Sequence, residues 1–380
     1  MHLLTTELAE QPSAVFEDLF SRCLLCGACE QVCPRHLPIT DLISQARSTF
    51  SLFYGPNGLK KAAACTALTH PVLLDGLVKA GISLQRLHAL PLHSGLRLKL
   101  GLLEERTPFS GRDCRDRPAC LPGITGRTHS YFTGCFARHV QPSIAEATRT
   151  LLSKSNLPPA QVPADQYCCG LAAWSAGKRE QALELARKNI RAFSAPSLAD
   201  APIITSCASC SSHLLAYPTL FDEHDPWHDK AVAFAGRVRE FTSFFDDKLP
   251  VFPHIDMPEH SRKKIFYHDP CHLRFKEKGM SAPRSLLHKT GTQVLEPEDG
   301  PLCCGQGGLF HLACPEHSSQ IFQKSSRQAL AESPDYITTT CSGCLMQYQE
   351  GLTRQGRQVK VVHMAVLLAD YLKRQPDQQA

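Results

Sequence analysis

Residues 201–210 read APIITSCASC, and residues 335–344 read DYITTTCSGC. Each is a short apolar, β-branched run that ends on a cysteine, with a second cysteine three positions on. Such a run bounded by turn residues predicts a strand, and a helix follows each one. Working outward, both stretches belong to a longer repeat. The first copy holds Cys135, the adjacent pair Cys168 and Cys169, then Cys207 and Cys210; the second holds Cys271, Cys303, Cys304, Cys341 and Cys344. The offsets between corresponding cysteines are 136, 135 and 134. A register kept over that distance marks a duplicated domain.

The same order of elements surrounds each set. HSYFTGC predicts a strand ending at Cys135, SIAEATRTLLSKS a helix, and AQVPADQY a lead-in to Cys168, Cys169 and Gly170. REQALELARKNIRAF is a helix with Leu183, Ala186, Ile190 and Phe193 on one face. In the second copy KKIFYHDPC ends at Cys271, APRSLLHKT is helical, TQVLEPE leads to Cys303, Cys304 and Gly305, and PEHSSQIFQKSSRQALAES is helical. QVKVVH then predicts a last strand and MAVLLADYL a last helix, with Met364, Leu367, Leu368 and Tyr371 aligned. Strands alternating with helices imply βαβ units and parallel sheets, an α/β class. All five cysteines of a copy fall at or after strand C-termini, the edge at which open α/β folds bind ligands. Adjacent cysteines face one site only from an irregular loop, and Gly170 and Gly305 supply the backbone freedom for one.

Toward the N-terminus, Cys23, Cys26, Cys29 and Cys33 form C-x2-C-x2-C-x3-C followed by Pro34. This is the bacterial ferredoxin run for a 4Fe-4S cluster. In two-cluster ferredoxins the fourth cysteine serves the other cluster, and here only one run exists, so the fourth ligand stays open. Cys33, Cys65, Cys114, Cys120 or a partner chain are the alternatives, with a buried, inert thiol as the default for Cys65, Cys114 and Cys120. The divisions expected are a ferredoxin-type segment at 1–57, a helical region and linker at 58–127, and the two repeats at 128–250 and 262–380. The Leu-rich stretch 58–106 is expected to pack against its own domains.

Composition narrows the chemistry. The chain has 380 residues, 18 of them cysteine, and a net charge of +5. That charge gives no nucleic-acid footprint. The first twenty residues have no basic start followed by a long apolar run, so a reducing, cytoplasmic setting is expected, at most peripheral on the inner face of a membrane. Five thiols per repeat exceed the four of a tetrahedral zinc and suit a multi-iron cluster, with zinc and disulfide as the competing readings. His268 and His272 flank Cys271, and His139 lies one turn beyond Cys135. Hydrogen bonding in the local fold is their default role, with tuning of a cluster or proton carriage the alternative. No G-x-G-x-x-G run or P-loop is present, so flavin or nucleotide chemistry is expected elsewhere.

The stretches YFTGC, QYCCG, FYHDPCHL, LCCGQGG and CSGCLMQ resemble the cysteine-rich CCG domain family. That family includes the B and D subunits of heterodisulfide reductase, the iron–sulfur subunit of glycolate oxidase, the C subunit of anaerobic glycerol-3-phosphate dehydrogenase and the lactate-utilisation iron–sulfur protein. The likeness runs from Cys23 onward. It implies a noncubane 4Fe-4S cluster on each five-cysteine set, beside the N-terminal cubane. It also implies electron transfer from a flavoprotein partner, which oxidises a 2-hydroxy acid, to a quinone or other carrier. A further iron–sulfur or membrane subunit would complete the complex. The alternative that it implies is a heterodisulfide-type reductase acting at the clusters themselves. The glycolate oxidase type carries two ferredoxin runs, and this chain has one.

Overall fold

The computed structural model describes residues 14–49, 57–86, 103, 129–154, 160–249, 262–277 and 279–373. Cys114, Cys120 and, apart from residue 103, residues 87–106 of the Leu-rich stretch lie outside these.

Among the described residues five helices precede the sheets: α1 (Ala14–Ser21), α2 (Ala28–Gln31), α3 (Ile39–Ser48), α4 (Gly58–Thr69) and α5 (Pro71–Arg86). The buried guanidinium of Arg47 ties α3 to α1, to the loop at Cys23 and to Ser175 of the first repeat. It donates to the carbonyls of Phe20 (3.0 and 2.7 Å), Cys23 (2.6 Å) and Ser175 (2.6 Å). The expectation that the Leu-rich helices pack inward holds for α4, where Cys65, Ala64 and Leu68 pack with Ala173, Ala182 and Leu309, and for one face of α5. Val78 is buried, whereas Val72, Leu73, Leu77 and Leu84 are exposed.

The first repeat comprises β1 (Ser130–Phe132), a π-helical turn (Phe136–Val140), α6 (Pro142–Lys154), α7 (Leu171–Ser175), α8 (Arg179–Ala192), β2 (Ile203–Thr205), α9 (Ala208–Leu215), α10 (His228–Ala235), β3 (Val238–Glu240) and α11 (Phe241–Phe245). Its strands are parallel in the order β1-β2-β3, with Tyr131 opposite Ile204 and Ile204 opposite Arg239. A lone bridge from Ser130 to Gln161 adds to the outer side of β1. The second repeat comprises β4 (Lys264–Tyr267), a π-helical turn (His272–Glu277), α12 (Ser281–Lys289), β5 (Gln293–Leu295), α13 (Phe310–Ala313), α14 (Pro315–Leu330), β6 (Tyr336–Thr339), α15 (Ser342–Arg354), β7 (Lys360–His363) and α16 (Met364–Lys373). Its parallel order is β5-β4-β6-β7. The Gln161 bridge thus stands where β5 stands, and β1-β2-β3 match β4-β6-β7.

The duplication extends to side chains. Tyr131 hydroxyl hydrogen-bonds Ser206 Oγ at 2.8 Å, and Tyr267 hydroxyl pairs with Thr340 Oγ1 at 3.4 Å at the equivalent place. The helical face predicted on α8 is buried, as are Met364, Leu367 and Leu368 on α16. The repeats exchange helices across a pseudo-twofold seam. Helix α16 packs on α6, and α11 packs on α12. Leu151, Leu152, Phe241, Phe245, Ile265, Tyr267, Leu286 and Leu368 form one apolar cluster drawn from both repeats. Burial of that surface makes the pair one folding unit.

Candidate functional site

Strand ends and glycine turns place the cysteines. β2 runs out at Thr205, and Cys207 caps α9 with φ −118° and ψ 116°; Cys341 caps α15 with φ −121° and ψ 123°. Cys210 and Cys344 follow inside the first turns. All four thiols therefore sit at helix N-termini, where the backbone dipole favours a thiolate. Cys168 and Cys169 lie in a loop that turns at Gly170 (φ 96°), and Cys303 and Cys304 in one that turns at Gly305 (φ 86°). Side chains rarely adopt that conformation, and a Cβ at Gly305 would lie 2.7 Å from Ser318 O. Cys135 and Cys271 open the two π-helical turns. Such turns recur at functional sites, and they left no signal in the sequence pattern.

The predicted sets converge, and they do more than converge singly. Cys135 contacts Cys168, which contacts Cys169; Cys169 meets Cys210, and Cys210 meets Cys207. Cys207 then meets Cys341 of the other repeat, Cys341 meets Cys344, and Cys344 reaches Cys304 with 3.2 Å between sulfurs. Cys303 completes the series against Cys304. Cys271 stands close enough to Cys304 and Cys341 for their charges to act on it. Most of these thiols are buried, and no disulfide joins the described cysteines.

The seam is cross-braced. Ala208 N–H donates to Thr340 O at 2.9 Å, and Ser209 Oγ lies 3.0 Å from Cys341 Sγ and 2.8 Å from His272 Nδ1. Hydrogen bonds from Cys210, Cys341 and Ser342 hold Cys207 well below the ordinary thiol range. Cys341, hydrogen-bonded to that thiolate, is pushed up to about 12. Each repeat thus supplies polar partners to the other's cysteine set.

The N-terminal run docks on the second repeat. Charges at Cys23 and Cys26 act on Cys29, so these three share one locale, and burial is the larger influence raising Cys29. Cys26 in turn acts on Cys271, whose thiol burial pushes up. Gln31 Nε2 donates to Phe275 O at 2.7 Å, Lys276 pairs with Glu30, and Lys276 Nζ donates to Thr40 Oγ1 at 2.9 Å. Cys33 enters none of these contacts. Cys65 is fully buried, donates to Gln181 Oε1 at 3.3 Å and lies on the Cys168 side, away from the N-terminal run. Cys314, absent from the sequence reading, is buried with Leu24, Phe310 and Ile321.

Among the described histidines, His268 is the one grouped with two cysteines in metal-donor geometry. Its ring, Cys304 and Cys344 present ligand atoms within 4.8 Å of one another, and its Nδ1 lies 3.3 Å from Tyr348 hydroxyl. His139 Nδ1 instead faces Asp75 of α5 at 3.4 Å. His213, unremarked in the sequence, is buried beside Cys168 with Nε2 unpartnered, and burial lowers it to about 4.

This donor set fits iron–sulfur chemistry. Ten mostly buried thiols, bonded largely to one another, form only weak hydrogen bonds as thiols. As thiolates they need neutralising cations, which multi-iron clusters provide. No described helix is long and apolar enough to cross a membrane.

A duplicated parallel α/β unit with a cysteine set near the strand ends of each copy, preceded by a ferredoxin-type run, defines a class of cysteine-rich proteins. The profile of the CCG cysteine-rich domain matches residues 129–215 and 265–349. The chain is 30% identical over 244 residues to lactate utilization protein A of Exiguobacterium sp. (strain ATCC BAA-1283 / AT1b), covering 64% of this chain and 97% of that one. It is 29% identical over 385 residues to a probable glycolate oxidase iron–sulfur subunit of Bacillus subtilis (strain 168), covering 95% of this chain and 84% of that one. The chain belongs to the CCG cysteine-rich domain family.

Proposed function

We propose that this chain is the iron–sulfur electron-transfer subunit of a flavin-dependent 2-hydroxy acid dehydrogenase complex, with lactate or glycolate as substrate of the flavoprotein partner. The observation that carries this reading is the unbroken adjacency from the N-terminal run, through Cys26 and Cys271, to the second set and across Cys341 and Cys207 to the first. Clusters bound there supply reversible one-electron storage.

The chain's own residues do the rest. Cys23, Cys26 and Cys29 hold the outer site, with Cys29 exposed at the surface. The two five-cysteine sets hold the inner ones, and their burial excludes water. Electrons then leave for a quinone or another carrier, through a further iron–sulfur or membrane subunit. Likeness to the Bacillus subtilis subunit over 95% of this chain supports the reading, because it takes in the N-terminal run as well as both repeats. The setting is cytoplasmic, at most peripheral on the inner face of a membrane.

A heterodisulfide-type reductase is the second reading, favoured by the completeness of both five-cysteine sets. Anaerobic native purification through a tag separates the two. A co-purifying flavoprotein that bleaches the chain's visible absorption on addition of lactate or glycolate supports electron transfer. Reduction of a thiol disulfide by the isolated chain with an artificial donor, and no such partner, contradicts it.

A further inference from the structure

Two carboxylic acids lie beside the seam and belong to neither cysteine set. Glu240 ends β3. Its Oε2 accepts from the N–H groups of Thr242 (2.8 Å) and Ser243 (3.3 Å) and from the Thr242 hydroxyl. Its Oε1 is buried and unpartnered. Glu277 closes the second π-helical turn. Its Oε2 accepts from Ser211 hydroxyl at 2.9 Å, and its Oε1 is also buried and unpartnered. The turn carrying Glu277 packs on α9. Just past it a Cβ on Gly279 would lie 3.7 Å from Ser243 Oγ, next to the cap of Glu240. The charge of Glu240 acts on Glu277, and Cys207 acts on both.

A buried carboxylate oxygen without a donor is costly. Two such oxygens on neighbouring carboxyls are relieved when the pair holds a proton. The other titratable groups that face the pair are Cys207, beyond the end of β2, and Tyr267, at the end of β4. Among the described residues neither glutamate is ion-paired with a lysine or arginine.

Resting on the electron-carrying reading above, we propose that Glu240 and Glu277 are positioning residues that hold and exchange a proton in step with the redox state of the thiolate set containing Cys207. When the iron–sulfur group that this set would hold takes one electron from the reduced flavoprotein, the pair binds one proton from solvent. When the electron leaves, the proton returns. The seam then keeps its net charge through the cycle, which makes reduction easier in a low-dielectric setting. Burial supports this, since it pushes Glu240 up to about 7 and Glu277 up to about 8.

The test is a potentiometric titration of the anaerobically purified protein, followed by paramagnetic resonance from about pH 6 to about pH 9, with infrared redox-difference spectra of the same samples. The expected result above about pH 8 is a midpoint potential at one centre that falls by about 59 mV per pH unit, the tenfold change for one proton per electron. The slope is lost in Glu277→Gln and Glu240→Gln and kept in Glu277→Asp. A protonated-carboxyl infrared band that changes on reduction disappears in Glu277→Gln. A potential independent of pH in the wild-type protein overturns the proposal. A preparation without iron contradicts the electron-carrying reading instead. In that case the carboxyl band at neutral pH still decides, and its absence overturns the proton assignment.

Discussion

Cys207 and Cys341 are neighbours across the seam between the two repeats, close enough for each to shift the other's thiol. Each caps a helix in the same backbone conformation, so the pseudo-twofold axis passes between two sulfurs. Two five-cysteine sets that the sequence presents as separate sites are therefore neighbours, and a perturbation on one side is felt on the other.

That contact makes the sites non-additive. Cys207→Ser and Cys341→Ser are each expected to change the paramagnetic spectrum of both sets. The double variant is expected to cost less stability than the sum of the two, by about 1 kcal/mol, the coupling usual for residues in contact. A double-mutant cycle in urea together with spectra of the reduced proteins checks this. Additive effects confined to the mutated set would contradict it.

Arg47 is the latch of the N-terminal run. Its fork reaches carbonyls of Phe20, Cys23 and Ser175. Arg47→Ala strands these acceptors and is expected to cost about 3 kcal/mol. Proteolysis should then open residues 14–49 while the two sheets persist. Arg47→Lys should restore only part, since an ammonium lacks the planar fork.

Two glycines with the same backbone sign separate loop strain from close packing. Gly300 has φ 73° with nothing near its missing Cβ, whereas Gly305 has φ 86° and a Cβ there would meet Ser318 O at 2.7 Å. Gly300→Ala is expected to cost about 1 kcal/mol. Gly305→Ala should cost at least twice that and displace Cys303 and Cys304, which iron content and thermal unfolding would report.

The buried glutamates fix the sign of a pH effect on stability. Unfolded glutamate ionises near 4.5, whereas folded Glu240 keeps its proton to about 7 and Glu277 to about 8. The folded chain binds more protons within that window. Stability is thus greatest below about 4.5 for these groups and falls as pH rises, with the loss complete above about 8. Glu240 alone accounts for a change on the order of 3 kcal/mol. Glu240→Gln keeps the cap and should flatten the profile in urea titrations at successive pH values.

Much of this was legible in the sequence because cysteine spacing and strand–helix alternation are local signals. The helix faces of α8 and α16 and the strands that end in Cys207 and Cys341 followed from them. The π-helical turns did not, since Phe136–Val140 and His272–Glu277 have no special composition. Strands β3 (Val238–Glu240) and β5 (Gln293–Leu295) lack the apolar run ending close to a cysteine that marks β1 and β2. Hence the closing strand and helix were evident only in the second repeat. The meeting of Cys207 with Cys341, 134 residues apart, comes from packing between repeats, as does the approach of His268 to Cys304 and Cys344. The exposed leucines of α5 read as core because burial depends on the neighbour a helix finds.

The most direct measurement of the central claim is iron, acid-labile sulfide and zinc content of the anaerobically purified chain, with its visible spectrum before and after dithionite. The account predicts iron and sulfide in equal amounts, a brown absorption that dithionite bleaches, and loss of part of both in Cys26→Ser. A colourless protein holding zinc without sulfide would contradict it.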